Sequence, residues 1–125
     1  MPDRREPSPE VLIVEDEPIT RMVAADAITD MGSLAREAGD AQEALDVLGT
    51  HPKVALLFTD IDMPGTMDGL GLAEKVHEQR PKVEFIVTSG ASQMADADLL
   101  DDGTFLPKPY GTVRLTELVR EKLNR

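Results

Sequence analysis

Four short stretches carry residue types that chemistry can use. Glu15-Asp16-Glu17 follows the apolar run Val11–Val14, and Asp60-Ile61-Asp62 follows Val54–Phe58 and Thr59. Carboxylates crowded into one cleft repel one another unless they protonate or share a cation. A set of oxygen donors open to water suits Mg²⁺ better than zinc or copper. Lys108 stands between Pro107 and Pro109, with no other basic residue back to Lys82, so its cation is held on a stiff backbone. Thr88-Ser89-Gly90-Ala91 places hydroxyls ahead of small residues. One carboxylate to attack, a metal and a lysine for the equatorial oxygens, and a hydroxyl for one more are the parts phosphoryl transfer requires. Each part also has a plainer role. Glu17 reads first as a helix cap, Lys108 equally well as a salt-bridge partner, and Thr88–Ala91 as an ordinary turn.

These residues must be brought together by the elements around them. Val11–Val14 is a β-branched run of the kind buried on both faces of a parallel sheet. Pro18 opens a helix whose stripe is Met22, Val23, Ala25, Ala27, Ile28 and Met31, ending near Gly32. Ser33–Ala38 is a weaker strand, and Asp40 with Glu43 forms a capping box for a helix turning Ala44, Leu45 and Leu48 inward. Val54–Phe58 is a third strand. Leu70, Leu72, Ala73 and Val76 then mark a helix that closes at Arg80-Pro81. Val83–Val87 is a fourth strand, Thr104–Leu106 a short fifth. Val113, Leu115, Leu118, Val119 and Leu123 make a last amphipathic helix. Five strands alternating with five helical segments imply βαβ units, and right-handed crossovers lead to a doubly wound α/β sandwich of three layers. Ligands in such sheets bind beyond the carboxyl ends of the strands, where strand order reverses. If the first and third strands are neighbours, Glu15, Asp16 and Asp60 converge there.

Composition narrows the function classes. The chain has 125 residues, enough for one compact domain, and a net charge of −11. Hydrophobic residues make up 41% and aromatics only 3%, so the core is aliphatic. Such acidity repels nucleic acid, and no apolar run approaches the roughly 20 residues of a membrane span. Zero cysteines remove disulfide and thiol chemistry. Residues 1–9, with three prolines, read as a disordered leader without the apolar core of a signal peptide, followed by a single domain over 10–125. The expected setting is the cytoplasm.

From Val11 to Leu123 the chain resembles the receiver domain of bacterial two-component response regulators. The matching pieces are Val14-Glu-Asp-Glu-Pro18, Asp60-Ile-Asp-Met-Pro64 with Met67-Asp-Gly-Leu70, Thr88-Ser-Gly90 and Phe105-Leu-Pro-Lys-Pro-Tyr110. Each piece is weak alone, but four in this order at successive strand ends are specific. The resemblance implies a flavodoxin-like (βα)5 fold with a five-stranded parallel sheet in order 2-1-3-4-5. It implies that Asp60 accepts a phosphoryl group from a sensor histidine kinase or a histidine phosphotransfer protein. Asp16, Asp60 and the carbonyl of Asp62 would bind Mg²⁺, with Glu15 acting through water. The switch hydroxyl is Thr88 or Ser89, and Ser89 is preferred because the small Gly90 follows it. Lys108 would be the counter-ion and Phe105 the aromatic whose rotation reports the change. A monomer or a weak, phosphorylation-dependent dimer is expected.

The chain also departs from the family pattern. Glu15 stands where Asp is usual, and the loop Met63–Met67 is one residue longer. The acidic stretch Ala91–Gly103 is short for a helix with its connections, which puts in doubt the partner surface usually built around it. Three rivals are weaker. A non-phosphorylated pseudo-receiver is the non-catalytic one, but the acids, hydroxyl and lysine are all present. Asp60-Ile-Asp62 mimics the paired aspartates of a haloacid-dehalogenase-type phosphatase, but Pro64 stands where that family has Thr or Val. An FMN-binding flavodoxin would need a phosphate loop where Glu15-Asp16-Glu17 would repel phosphate. Gly69-Leu-Gly71 is no dinucleotide fingerprint. His51 and His77 read as helix-end surface residues. Arg114, Arg120, Lys122 and Arg125 read as a solvated face. With no output segment after the last helix, a stand-alone receiver is expected, with a receiver excised from a hybrid kinase as the alternative.

Overall fold

The computed structural model describes residues 9–91, 99 and 103–124. Its sheet consists of β1 (Glu10–Val14), β2 (Leu34–Ala38), β3 (Val54–Asp60), β4 (Glu84–Ser89) and β5 (Thr104–Pro107). The strands are all parallel and lie in the order β2-β1-β3-β4-β5. Among the described residues four helices cover the sheet: α1 (Pro18–Asp30), α2 (Ala41–Thr50), α3 (Gly69–Gln79) and α4 (Thr112–Leu123). This is the expected doubly wound, flavodoxin-like arrangement. The expected leader, apart from Pro9, and most of the expected helix between Ala91 and Gly103 lie outside the described residues.

The alternation of side chains along β1 and β3 sorts the core into two layers. Leu12, Val14 and Leu57 pack with Ala44 and Leu48 of α2 and with Leu72 and Val76 of α3. Val11, Ile13, Leu56 and Phe58 pack with Ala24, Ala25 and Ile28 of α1 and with Leu115, Leu118 and Val119 of α4. The central strands are apolar on both faces because both are covered by helices.

Helix starts follow local capping chemistry. Glu17 accepts from the backbone N–H groups of Ile19 and Thr20, with Pro18 in the first turn of α1. Asp40 accepts from Glu43 N at 2.9 Å, while the Glu43 carboxylate accepts from Gly39 N rather than from Asp40 as a strict capping box would have it. Asp68 caps α3 through Gly71 N.

Three expectations are corrected. Met22 and Val23 are exposed (50% and 45%), because α1 rests on the sheet through the small Ala24 and Ala25 together with Ile28. Val113 is likewise outside, at 71% exposure, leaving Leu115 as the first buried residue of α4. Lys122 is buried rather than solvated, its Nζ 3.8 Å from the Glu84 carboxylate.

Candidate functional site

The reversal of strand order between β1 and β3 opens a crevice at their carboxyl ends. Glu15 and Asp16 leave β1 there, and Asp60 is the last residue of β3. Carboxylate oxygens of Glu15, Asp16 and Asp60 lie within 4.8 Å of one another, with Glu15 and Asp60 buried and Asp16 exposed. Lys108, just past β5, reaches across from the other side. Its Nζ donates to Glu15 Oε1 at 2.9 Å and to Asp60 Oδ2 at 3.0 Å. Three of the expected residues thus converge as carboxylates, and the lysine joins them.

The electrostatics follow from this packing. Burial pushes the Glu15 carboxyl up despite its bonds to Lys108 and to Glu17 N, and the Asp60 charge adds to the rise. Burial also works against the Lys108 ammonium, but the bonds to Glu15 and Asp60 outweigh it and push the amine up to about 12. Lys108 is therefore a fixed cation. All three acids offer hard oxygen donors, and one cation bonded to two of the three carboxylates leaves negative charge over. That donor set fits Mg²⁺.

The hydroxyls separate clearly. Thr88 pairs in register with Asp60, and its Oγ1 is buried without a hydrogen-bond partner among the described residues. Ser89 is the last residue of β4, and its Oγ donates to Asp62 Oδ2. Asp62 is exposed, and its backbone N–H donates to Asp60 Oδ1 at 3.1 Å. Phe105 is half-buried, paired in register with Val87, and packs against the α2–α3 core layer.

Residues 11–120 match the response regulator receiver domain. The chain belongs to that family. Over 119 residues this receiver is 32% identical to the nitrogen assimilation regulatory protein NtrX of Azorhizobium caulinodans, covering 91% of this chain but only 26% of that protein. It is 27% identical over 121 residues to the autoinducer 1 sensor kinase/phosphatase LuxN of Vibrio harveyi, covering 94% of this chain and 14% of LuxN. The crystal structure of the receiver domain of NtrX from Brucella abortus superposes with a TM-score of 0.82 at 28% identity, covering 91% of this chain and 98% of that one. The receiver thus spans about a quarter of the NtrX relative and a smaller share of LuxN.

One residue at the site, Arg21, escaped the sequence reading, and another, Tyr110, entered it only as the end of a matching piece. Arg21 Nη1 donates to the backbone carbonyl of Glu15 at 2.7 Å, and its Nε pairs with Glu37 at 3.3 Å, bracing the turn that carries Glu15 and Asp16. The signal was available: Arg21 is the lone basic residue between Val14 and Arg36. Tyr110 packs edge-on against Phe58 at 5.5 Å and lines a groove of about 590 Å³ with Ile19, Val23 and Lys108. No helix among the described residues is long and apolar enough to cross a membrane.

Proposed function

We propose that Asp60 is the phosphoacceptor of this receiver, taking its phosphoryl group from a phosphohistidine on a sensor histidine kinase or a histidine phosphotransfer protein. The observation that carries this is the Lys108 ammonium, held between Glu15 and Asp60 beside Asp16. One Asp60 oxygen attacks phosphorus, the P–N bond breaks, and the imidazole leaves with the bonding pair. The transferring group stays charged throughout, so catalysis is mainly positioning and charge neutralisation. Lys108 can turn from the carboxylates to the equatorial oxygens. Asp16, Asp60 and the Asp62 carbonyl, with Glu15 behind them, would hold Mg²⁺, which supplies further neutralisation of those oxygens when bound. Ser89, the last residue of β4, becomes a donor to the phosphoryl group, and Phe105 packs into the space this movement opens. Such a change converts one added dianion into a different surface for a partner.

The donor side is open. Ile19, Met22 and Val23 of α1 leave apolar surface exposed, and Ile19 and Val23 line a groove with Lys108 and Tyr110, which is where this reading seats a helix of the phosphodonor. Within this reading the chain's own chemistry is limited to gaining and losing its phosphoryl group, in the cytoplasm where such donors work. Incubation with acetyl phosphate and Mg²⁺, followed by intact mass, tests it. The native protein gains a single Mg²⁺-dependent phosphoryl adduct and Asp60→Asn gains none. An adduct of equal yield on Asp60→Asn would place the acceptor elsewhere.

A further inference from the structure

The residue two beyond the acceptor is bonded in two directions. Through its main chain, Asp62 donates to Asp60 Oδ1 at 3.1 Å. Through its side chain, Asp62 Oδ2 accepts from Ser89 Oγ at 2.5 Å. The same Ser89 oxygen accepts from Ala91 N at 3.1 Å, and Ser89 is 1% exposed. A serine hydroxyl carries one proton, so while that proton serves Asp62 it cannot serve an oxygen on Asp60. Bonds to a carboxylate are about twice as strong as neutral ones, so the Asp62 contact is no idle one.

We propose that Asp62 is a positioning residue whose carboxylate latches the Ser89 hydroxyl in the resting state, so that the switch opens only when a phosphoryl group on Asp60 outcompetes it. The proposal rests on Asp60 being the acceptor. The added dianion acts twice: it attracts the Ser89 proton, and it repels the Asp62 carboxylate, which is exposed and can swing into water. The latch thereby sets the equilibrium between resting and switched forms, because any ligand of the switched form must first break the Asp62–Ser89 bond.

A double-mutant cycle on the full chain tests this with fluoroberyllate, a non-covalent stand-in for the phosphoryl group, in excess Mg²⁺. Its dissociation constant is measured by calorimetry for the native protein, Asp62→Ala, Ser89→Ala and the double variant. The latch predicts that Asp62→Ala tightens binding about tenfold when Ser89 is present. The same substitution changes it by less than about twofold when residue 89 is Ala. Asp62→Asn, which keeps an uncharged acceptor, falls between. A purely electrostatic role for Asp62 at the metal would change binding equally in both backgrounds, and that result overturns the latch, as does no change at all. Failure of the native protein to bind fluoroberyllate is a different result, visible without any substitution. It removes the phosphoacceptor reading and the latch with it.

Discussion

A methyl group on Gly69 would lie 2.0 Å from the carbonyl oxygen of Asp60 and 2.9 Å from Ile61 Cα. Real Cβ atoms do not approach backbone so closely, and here the obstacle is main chain that no rotamer change can move aside. Gly69 N also donates to the Ile61 carbonyl at 3.0 Å, so the start of α3 is laced onto the end of β3. Gly69→Ala therefore pushes on the backbone that carries Asp60. It is expected to destabilise the fold by about 1–3 kcal/mol in urea unfolding and to slow phosphorylation by acetyl phosphate at saturating Mg²⁺. Unchanged stability and rate would mean that α3 can slide without disturbing Asp60. Gly69 falls within the matching piece Met67-Asp-Gly-Leu70, but nothing in the sequence shows why glycine is needed there, since the contact joins elements through a loop whose path is set only in the fold. Lys108 was legible for the opposite reason: an isolated cation between two prolines, in a chain rich in acids, stands out at once. Thr88 and Ser89 were harder. Both are hydroxyls at a strand end, and only the strand register puts Thr88 beside Asp60 and Ser89 against Asp62.

At the scale of elements, the strands were easier to read than the helix faces. Parallel strands covered on both sides must be continuously apolar, so their positions follow from short aliphatic runs. Helix α1 has apolar residues spread around much of its surface, and periodicity alone could not tell which side meets the sheet. Alanines did, because their small size lets the helix approach closely, and Met22 and Val23 were left in solvent. Side chains that stitch elements together are also invisible to periodicity. Arg80, at the end of α3, donates to the backbone carbonyls of Leu48, His51, Pro52 and Val54 at 2.9–3.4 Å. One guanidinium thus holds the end of α2, the connecting turn and the start of β3. Hydrogen bonds to a charged group contribute about 1.5–3 kcal/mol, and part of this one is exposed. Arg80→Ala should lower stability by about 2 kcal/mol, and Arg80→Lys should recover only a fraction, since an ammonium cannot fork to several carbonyls. Because Arg80 lies at the end of the sheet away from Asp60, the yield of phosphoryl adduct should stay native in both variants. A loss of yield matching the loss of stability would tie the two ends of the sheet together.

For the molecule as a whole, the dominant fact is negative charge, −11 in 125 residues, with three carboxylates gathered at one crevice. Self-repulsion of this kind opposes the compact state, and Lys108 offsets it only in part. A divalent ion taken up by the folded chain and not by the unfolded one stabilises by RT ln(1 + [L]/Kd), about 1.4 kcal/mol at ten times Kd. For a domain of this size that corresponds to a rise in Tm of roughly 4–5 °C. General screening of surface charge also stabilises, so the same ionic strength supplied as NaCl is the necessary comparison. Asp16→Asn separates the two effects, because Asp16 is the exposed member of the cluster and its loss leaves the Lys108 bridge to Glu15 and Asp60 in place. The variant should start from a slightly higher Tm without Mg²⁺, its like-charge repulsion being reduced, and should lose most of the specific increment when Mg²⁺ is added. Its response to NaCl should match that of the native protein. If NaCl reproduces the whole shift, or Asp16→Asn keeps it, the cluster is only a patch of surface charge and Mg²⁺ binding must be sought elsewhere on the chain.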